Sequence, residues 1–394
     1  MTLHVRRLTA ADDASAWQLS RLAFGGPRER PESRRPAVAP GITSFGGFDG
    51  AALIGKVLGL DHTYFYGGRA VPGVGIAGVA IAPEYRAGGA LRELLSPLLA
   101  AARDRGAAIS ALFPTTAVPY RRLGWERAGV LRWTAVPTAA LAGERRPAGI
   151  TVRPAAEADV AAIRELYRGW AADGAGMLGR TGPCFEDTAS EFLAGHDGWS
   201  LAEGPDGIEG YANWDRVGGY DHEGVLQVPD LVAVTPRALT ALLAMLATWR
   251  SVAPTLQLRL RPDDPAWMLT GLAGARTLTE NPWMLRLIDA AAAVAARGWP
   301  NGVAGEVDLE LVDDLCPWNA GPHRLVISED RAELAPGGTG TVRVTPQALA
   351  VLYAGATSPA VLRRAGLLEG GDPRTDALLT AATAGPPPGL LDYF

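Results

Sequence analysis

Gly78-Val-Ala-Ile-Ala-Pro-Glu-Tyr-Arg-Ala-Gly-Gly-Ala-Leu-Arg-Glu-Leu-Leu95 decides the fold, because it reads as a strand, a glycine turn and the opening of a helix. Val79 and Ile81 favour β structure, Pro83 ends the strand, and Gly88 and Gly89 lead into a helix that begins near Ala90. A helix that starts in glycines offers unpaired backbone N–H groups and the positive end of its dipole. The stretch therefore calls for an anionic, phosphate-bearing ligand.

The rest of the chain sets the frame. A length of 394 residues points to two or three domains, and 48% hydrophobic with 20% charged residues fits a globular protein. A formal charge of −5 gives no electrostatic case for nucleic acid or an anionic membrane as partner. Two cysteines, Cys184 and Cys316, are too few for a disulfide framework or metal cluster and suit a reducing, cytoplasmic setting. Met1 to Asp13 lacks an apolar leader core, and no apolar run is long enough to span a bilayer. Lys56 is the only lysine, in keeping with a bias towards Ala, Gly, Pro and Arg, although a lysine-acetylating enzyme would also gain from having few.

Two segments repeat a pattern. Val5-Arg-Arg-Leu-Thr-Ala-Ala-Asp-Asp-Ala-Ser-Ala-Trp-Gln-Leu19 reads as a strand, a polar turn and a helix, and so does Val152-Arg-Pro-Ala-Ala-Glu-Ala-Asp-Val-Ala-Ala-Ile-Arg-Glu-Leu166. Such a distant recurrence implies two copies of one α/β unit, joined near the polar Leu141–Gly149. The second copy has its own strand–turn–helix at Val232–Met245, with Thr235 as N-cap and Pro236 in the first turn. Its turn has no glycines, so this copy reads as structural. After a short helix within Leu287–Arg297, Val307, Leu309 and Leu311 alternate with polar residues as in a half-buried strand. Arg324–Ser328 and Thr341–Val344 read as further strands, and Thr345-Pro346 caps a helix through Tyr353, which makes a small α+β domain. The end, Pro386-Pro-Pro-Gly-Leu-Leu-Asp-Tyr-Phe394, is apolar where termini are usually polar and frayed, so it reads as docked.

Gly73-Val-Gly-Ile-Ala-Gly78 is a literal G-x-G-x-x-G, but it precedes the strand Val79–Ala82 instead of linking strand to helix, so it is assigned to a turn and strand start. Lys56 lacks the neighbours of a P-loop lysine. What remains is a coenzyme with a pyrophosphate and a long arm. Ala111-Leu-Phe-Pro-Thr-Thr-Ala-Val-Pro-Tyr-Arg-Arg-Leu-Gly-Trp125 reads as a buried strand, a helical turn bearing Tyr120, then Gly124 and another strand. This layout resembles that of the GNAT N-acetyltransferases. Arg86-Ala-Gly-Gly89 resembles their pyrophosphate loop, with Leu91 in place of the usual small residue.

The resemblance extends to the enhanced intracellular survival (Eis) acetyltransferases through Asn281–Trp299, Asp314-Leu-Cys-Pro-Trp-Asn319 and Leu349-Ala-Val-Leu-Tyr-Ala-Gly355. It implies an α/β plus α+β fold: tandem GNAT-like domains, each a mixed sheet with flanking helices, followed by a domain similar to sterol carrier proteins. The implied units are a catalytic domain at 1–148, a degenerate one at 149–288, and a third at 289–394 whose C-terminus enters the first domain's active site. The resemblance also implies acetyl-CoA as cosubstrate without a metal, a small-molecule or peptidic primary amine as acceptor (aminoglycoside-like, lysine-like or other), and a homohexamer.

Residue by residue, the backbone of Val79, Ala80 and Ile81 would pair with the pantetheine arm, and an N–H there would stabilise a developing oxyanion. The amides of Ala87, Gly88, Gly89, Ala90, Leu91 and Arg92 would cradle the pyrophosphate, with Thr115 and Thr116 beside the coenzyme. Tyr120 corresponds to the family's general acid; a phenol of reference pKa about 10 can protonate a thiolate of about 8.5. Phe394 would act as base through its α-carboxylate, of reference pKa about 3.5, by way of water or after burial. The competing readings are a packing tyrosine and a docked end that only packs.

Two departures bear on the acceptor. Gly25-Gly-Pro-Arg-Glu-Arg-Pro-Glu-Ser-Arg-Arg35 is basic where relatives can carry an acceptor-binding acid, and Tyr393 stands where relatives can carry Glu. Both remove charge that would hold a polycation, which favours a less cationic amine. His4, His62, His196, His222 and His323 are scattered without metal-ligand spacing, Cys184 lacks a nucleophile motif, and Cys316 reads as structural. The alternative function is a catalytically silent lipid or small-molecule binder that uses the last domain.

Overall fold

The computed structural model describes residues 3–32, 34–86, 88–269 and 274–394. The first part of the chain runs β1 (His4–Arg7), α1 (Asp13–Phe24), β2 (Ile42–Asp49), β3 (Ala52–Tyr66), β4 (Arg69–Ile81), α2 (Ala90–Asp104), β5 (Ile109–Leu112), α3 (Ala117–Arg121) and β6 (Glu126–Pro137). The second runs β7 (Thr151–Pro154), α4 (Val160–Ala172), α5 (Ala189–Ala194), β8 (Gly198–Gly204), β9 (Gly207–Val217), β10 (Val225–Val228), β11 (Leu231–Ala233), α6 (Pro236–Ala247), β12 (Thr255–Arg259), α7 (Ala266–Leu269) and β13 (Arg276–Leu287). The third runs α8 (Ala290–Ala296), β14 (Gly305–Leu311), β15 (Gly321–Ser328), β16 (Arg331–Pro336), β17 (Val342–Val344), α9 (Pro346–Tyr353), α10 (Pro359–Arg364), β18 (Leu368–Gly370) and α11 (Pro373–Ala382).

The two α/β units open alike for a reason that lies in their side chains. Asp12 accepts both guanidinium nitrogens of Arg6, at 2.8 and 2.8 Å, and the Thr9 amide at 2.8 Å. Asp159 repeats this with Arg153, at 2.8 and 2.9 Å, and the Ala156 amide at 2.8 Å. An aspartate beside the first turn satisfies amides that have no partner in the helix and ties the turn to the preceding strand.

The units do not form separate sheets. Among the described residues the strands of both line up as β1-β2-β3-β4-β5-β13-β6-β12-β10-β9-β8-β7, with β11 paired to β9. β13, from the end of the second unit, lies antiparallel to β5 and β6 of the first, while β6 lies antiparallel to β12 of the second. Each unit thus closes its sheet with a strand from the other, so the boundary expected at 148 does not divide the sheet.

Helix α2 packs Leu94, Leu95, Leu98, Leu99 and Ala102 onto Val57, Val74 and Ile76, a helical stripe on one face of a period-two surface. Helix α1 covers the other face, where Ala16, Leu8, Ala37 and Phe48 cluster with Leu58. The Gly73–Gly78 run lies inside strand β4, which starts at Arg69, and this corrects its assignment to a turn and strand start. Its glycines answer to crowding: a side chain at Gly73 would meet Tyr64 and Ile109, at 2.8 and 2.9 Å.

In the third part β16-β15-β14-β17-β18 make a second sheet. Val307, Leu309 and Leu311 point into its core, as their alternation requires. Cys316 is buried within a structural turn in which Asp313 accepts the Cys316 amide at 2.8 Å and Trp318 donates to Ile288 O at 2.7 Å. Arg286, wholly buried, donates to Asp313 at 2.5 Å and also to Leu123 O. Gly124 is a glycine because φ is +92° and a Cβ there would fall 1.6 Å from the Arg286 guanidinium. Among the described residues no helix is long and apolar enough to cross a membrane.

Candidate active site

β4 and β5 run parallel and bonded only from Gly73 to Ile76, opposite Ile109 to Leu112. Beyond that point β4 stays paired with β3, Ala80 facing Lys56 and Ile81 facing Gly55, and among the described residues no strand covers its other edge. The parting coincides with a bulge, because the register jumps between Lys56↔Ala80 and Leu58↔Ala77, and Gly78 has φ of +54°. Val79, Ala80 and Ile81 therefore present an open strand edge, the kind of surface to which an extended arm with amide groups can add. Ile81 O already accepts Arg86 Nε at 3.1 Å.

The strand leads through the turn Pro83–Tyr85 to α2. Gly89, with φ of +87°, has no atom within 4 Å of where a Cβ would stand, and Gly88 has only Tyr85 O at 3.6 Å. The backbone before α2 is thus open to close approach by an anion. Ala87 lies outside the described residues. The amide of Arg92 donates to Gly89 O at 2.9 Å, and its guanidinium reaches Asp314 O at 2.7 Å. Ala90 is buried and Leu91 packs partly against the α2 core.

The C-terminal tail reaches the same region along a path built by the second unit. Backbone 176–179 adds to the end of β3, with Gly176 N to Phe65 O at 2.7 Å, Phe65 N to Met177 O at 2.8 Å and Gly179 N to Thr63 O at 2.8 Å. The tail adds to that backbone in turn, with Gly389 N to Ala175 O at 2.8 Å, and Leu390 and Leu391 are buried. Asp392 accepts Arg180 Nε at 2.9 Å and the Tyr167 hydroxyl at 3.3 Å. Arg180 also grips Asp230 with both terminal nitrogens, and the Tyr211 hydroxyl donates to Asp230 at 2.9 Å. Burial opposes ionisation of Asp230, yet Arg180 holds its carboxyl well below the usual range. Arg180 has a left-handed backbone, with φ of +48°, a strained conformation that its two carboxylates help to hold.

The last two residues close the site. The Tyr393 ring lies on Phe113 with centroids 4.6 Å apart, and the Phe394 ring meets His62 edge-on at 4.8 Å and Phe113 at 5.5 Å. Gly75 makes room for them: a Cβ there would be 2.7 Å from Phe394 Cε2 and 2.7 Å from His62 Nδ1. Burial pushes the His62 imidazole down to about 4, so it is neutral at pH 7. Among the described residues no cation pairs with the Phe394 carboxylate.

Phe394 and Tyr120 line one cavity of about 430 Å³, together with Val79, Thr115, Lys56 and residues of α1 and the loop after it. Tyr120 is half-buried, and desolvation pushes its phenol up to about 12, so it carries its proton at neutral pH. Four of the sequence-derived candidates thus share one space. Thr116 is exposed as the residue before α3, and Gly88 to Arg92 lie past the end of β4. Sequence reading did not single out Gly75, His62, Arg180 or Asp392, and it took Lys56 for composition. The one available signal was that Lys56 has no lysine companion.

The chain resembles known proteins along its whole length. Residues 4–128 and 176–287 each match a family model described as an acetyltransferase (GNAT) domain, and residues 290–389 match a sterol carrier protein domain. An uncharacterized N-acetyltransferase of Streptomyces avermitilis is 28% identical over 82% of this chain and 83% of its own. The N-acetyltransferase Eis of Mycobacterium tuberculosis is 28% identical over 85% and 84%. The crystal structure of a GCN5-related N-acetyltransferase from Kribbella flavida superposes with a TM-score of 0.85 at 32% identity, covering 100% of this chain and 98% of that one. Eis1 from Mycobacterium abscessus shares the fold, with a TM-score of 0.79 at 24% identity and 100% of both chains covered.

Proposed function

The chain belongs to the GCN5-related N-acetyltransferases, in the Eis-like arrangement of two such domains and a sterol carrier protein domain, and from that premise we propose that it acetylates a primary amine with Tyr120 as acid and the Phe394 carboxylate as base. The observation that carries this reading is that Tyr120 and Phe394, far apart in the chain, line one cavity at the parting of β4 and β5. Acetyl-CoA, which enzymes of this family use, supplies the activated acetyl group. The residues present suit it: Val79–Ile81 offer an unpaired edge for its amide-bearing arm, and the open backbone at Gly88 and Gly89 suits its pyrophosphate. In this reading Ala87, Ala90, Leu91 and Arg92 complete that turn, and Thr115 and Thr116 flank the arm.

Tyr120 holds a proton at its hydroxyl for the sulfur that departs. Its rise to about 12 does not remove it from that task, since burial also raises the proton affinity of a thiolate in the same cavity. The Phe394 carboxylate, without an ion pair of its own, receives the proton that the amine must lose. The catalytic unit is residues 1–148, with 149–288 and 289–394 as its supports. A homohexamer in the cytoplasm belongs to the same proposal, and light scattering of the purified protein tests the assembly. The lipid-carrier alternative finds little support, because the apolar cleft between Val294, Trp299, Leu325 and Tyr353 offers only about 30 Å³, room for a water or two.

The test is to extend the chain by a few residues beyond Phe394, or to delete Phe394. Coenzyme A release in the presence of an amine panel should be lost, while calorimetry still shows acetyl-CoA binding. Full activity in the extended protein refutes the assignment.

A further inference from the structure

We infer that the acceptor amine carries a carboxylate, received by Lys56 on the floor of the cavity and by Arg34 at its rim. The inference rests on the reading of this cavity as the acceptor site and names the substrate class.

Lys56 is 3% exposed and lines the cavity. Its ammonium has three protons to donate, and its partner among the described residues is a single backbone oxygen, Gly78 O, at 3.0 Å. No carboxylate pairs with it there. Asp13, which faces it from α1, is already engaged by Arg30 at 3.1 Å and by the Ala37 amide at 3.1 Å. A buried ammonium without a direct ion pair is costly to keep, and burial lowers Lys56 to about 8 against the opposing pull of Asp13, still mostly charged at pH 7.

The rim adds charge of the same sign. Arg30, Arg34 and Arg35 all line the cavity. Arg30 is neutralised by Asp13, and Arg35 faces Asp187 at 3.7 Å, but Arg34 has no carboxylate partner among the described residues. Among the described residues that line the cavity none is Asp or Glu, and the anion this reading sets against these cations is the Phe394 carboxylate. A polyamine would meet two like charges here, whereas an amine with a carboxylate satisfies Lys56 and leaves its nitrogen free to face Phe394.

The test uses the full chain saturated with coenzyme A and calorimetric titration of matched probes. N-acetyl-alanine, N-acetyl-leucine and N-acetyl-phenylalanine are compared with N-acetylated ethylamine, isoamylamine and phenethylamine, which lack only the carboxylate. At least one acid should bind tenfold or more tightly than its partner. That preference should fall below threefold in Lys56→Gln and weaken in Arg34→Gln, with coenzyme A affinity kept in both. Lys56→Arg, which keeps the charge, should retain more of the preference than Lys56→Gln if both fold. Equal or absent binding of the paired probes, or a preference that survives both neutral substitutions, overturns the inference. Coenzyme A release with the parent amines is read separately: a carboxylate preference without turnover of any amine defeats the proposed function and leaves the anion site standing.

Discussion

Gly75→Ala, read with Phe394→Leu as its rescue, tests the placement of the chain terminus. Gly75 pairs with Leu60 of β3 and with Ala111 of β5, and its backbone lies outside the left-handed region that favours glycine. Alanine there is a question of space alone. The added Cβ falls 2.7 Å from the Phe394 ring, where ordinary contact starts at 3.4 Å, so the ring must retreat by about 0.7 Å or the tail must lift. Overpacking of this kind costs about 1–3 kcal/mol, and a misplacement near 1 Å can lower a rate on the order of 100-fold. A fall in kcat of about 10- to 100-fold is expected, with the acetyl-CoA dissociation constant from calorimetry unchanged, because the open β4 edge and the Gly88–Gly89 turn are untouched. Phe394→Leu in the Gly75→Ala background shortens the side chain but keeps the terminal carboxylate, and should recover most of the loss. A kcat within twofold of the parent, with the tail newly open to carboxypeptidase, refutes a catalytic part for Phe394, and the same kcat with the tail still resistant refutes the packing argument. A loss that Phe394→Leu fails to rescue moves the cause to His62, the other neighbour at 2.7 Å.

Other substitutions probe the supports. Asp392→Ala removes the bonds from Arg180 and Tyr167 but leaves Arg180 paired with Asp230, so tail docking should weaken by about 2 kcal/mol; faster carboxypeptidase trimming with a lower kcat is expected, and unchanged trimming contradicts it. Gly124→Ala meets the buried Arg286 and a φ of +92° together, and should cost more than about 4 kcal/mol, read as a large fall in melting temperature or loss of soluble protein; near-parent stability refutes the packing argument. His62 titrates near 4 when folded against 6.5 when unfolded. The unfolded chain therefore binds the extra proton between those values, and stability falls as pH drops through the window, by about 2 kcal/mol at pH 5. Asp264, raised by burial to about 6, acts in the opposite sense below that pH, so the measurement is the difference in urea unfolding between the parent and His62→Gln at pH 7 and pH 5; parallel curves refute it.

The sequence disclosed what is local. Strand, glycine turn and helix at Gly78–Leu95, the paired openings at Val5 and Val152, and the Thr235 and Thr345 caps all depend on neighbours within a few residues, and the structure has each of them. It also announced a docked end, since an apolar terminus has to find a surface. It did not disclose partners. Gly73, Gly75 and Gly124 are set by side chains from distant segments, and the spacing of the first two with Gly78 suggested a turn where a strand runs. Arg180 and Asp392 are ordinary charges along the chain and become a clamp only when the 175–180 backbone comes between β3 and the tail. Lys56 carried a compositional oddity but no motif, and its meaning depends on burial.

The second α/β unit lacks the glycine turn of the first, and the sheet explains why such a unit persists without a phosphate loop. β13 is the strand between β5 and β6, so the first unit's sheet is incomplete without the last strand of the second, and β12 needs β6 in return. Strand edges left bare by removing either partner would expose rows of unpaired backbone groups. The second unit also supplies Tyr167, Arg180 and Asp230, which fix Asp392 two residues before the terminus. Its loss would therefore disrupt both the fold around β5 and the position of the terminal carboxylate. Loss of its glycine turn alone touches neither. The contacts that must survive are the exchanged strand and the arginine clamp, and both lie outside the turn at which the first unit carries Gly88 and Gly89.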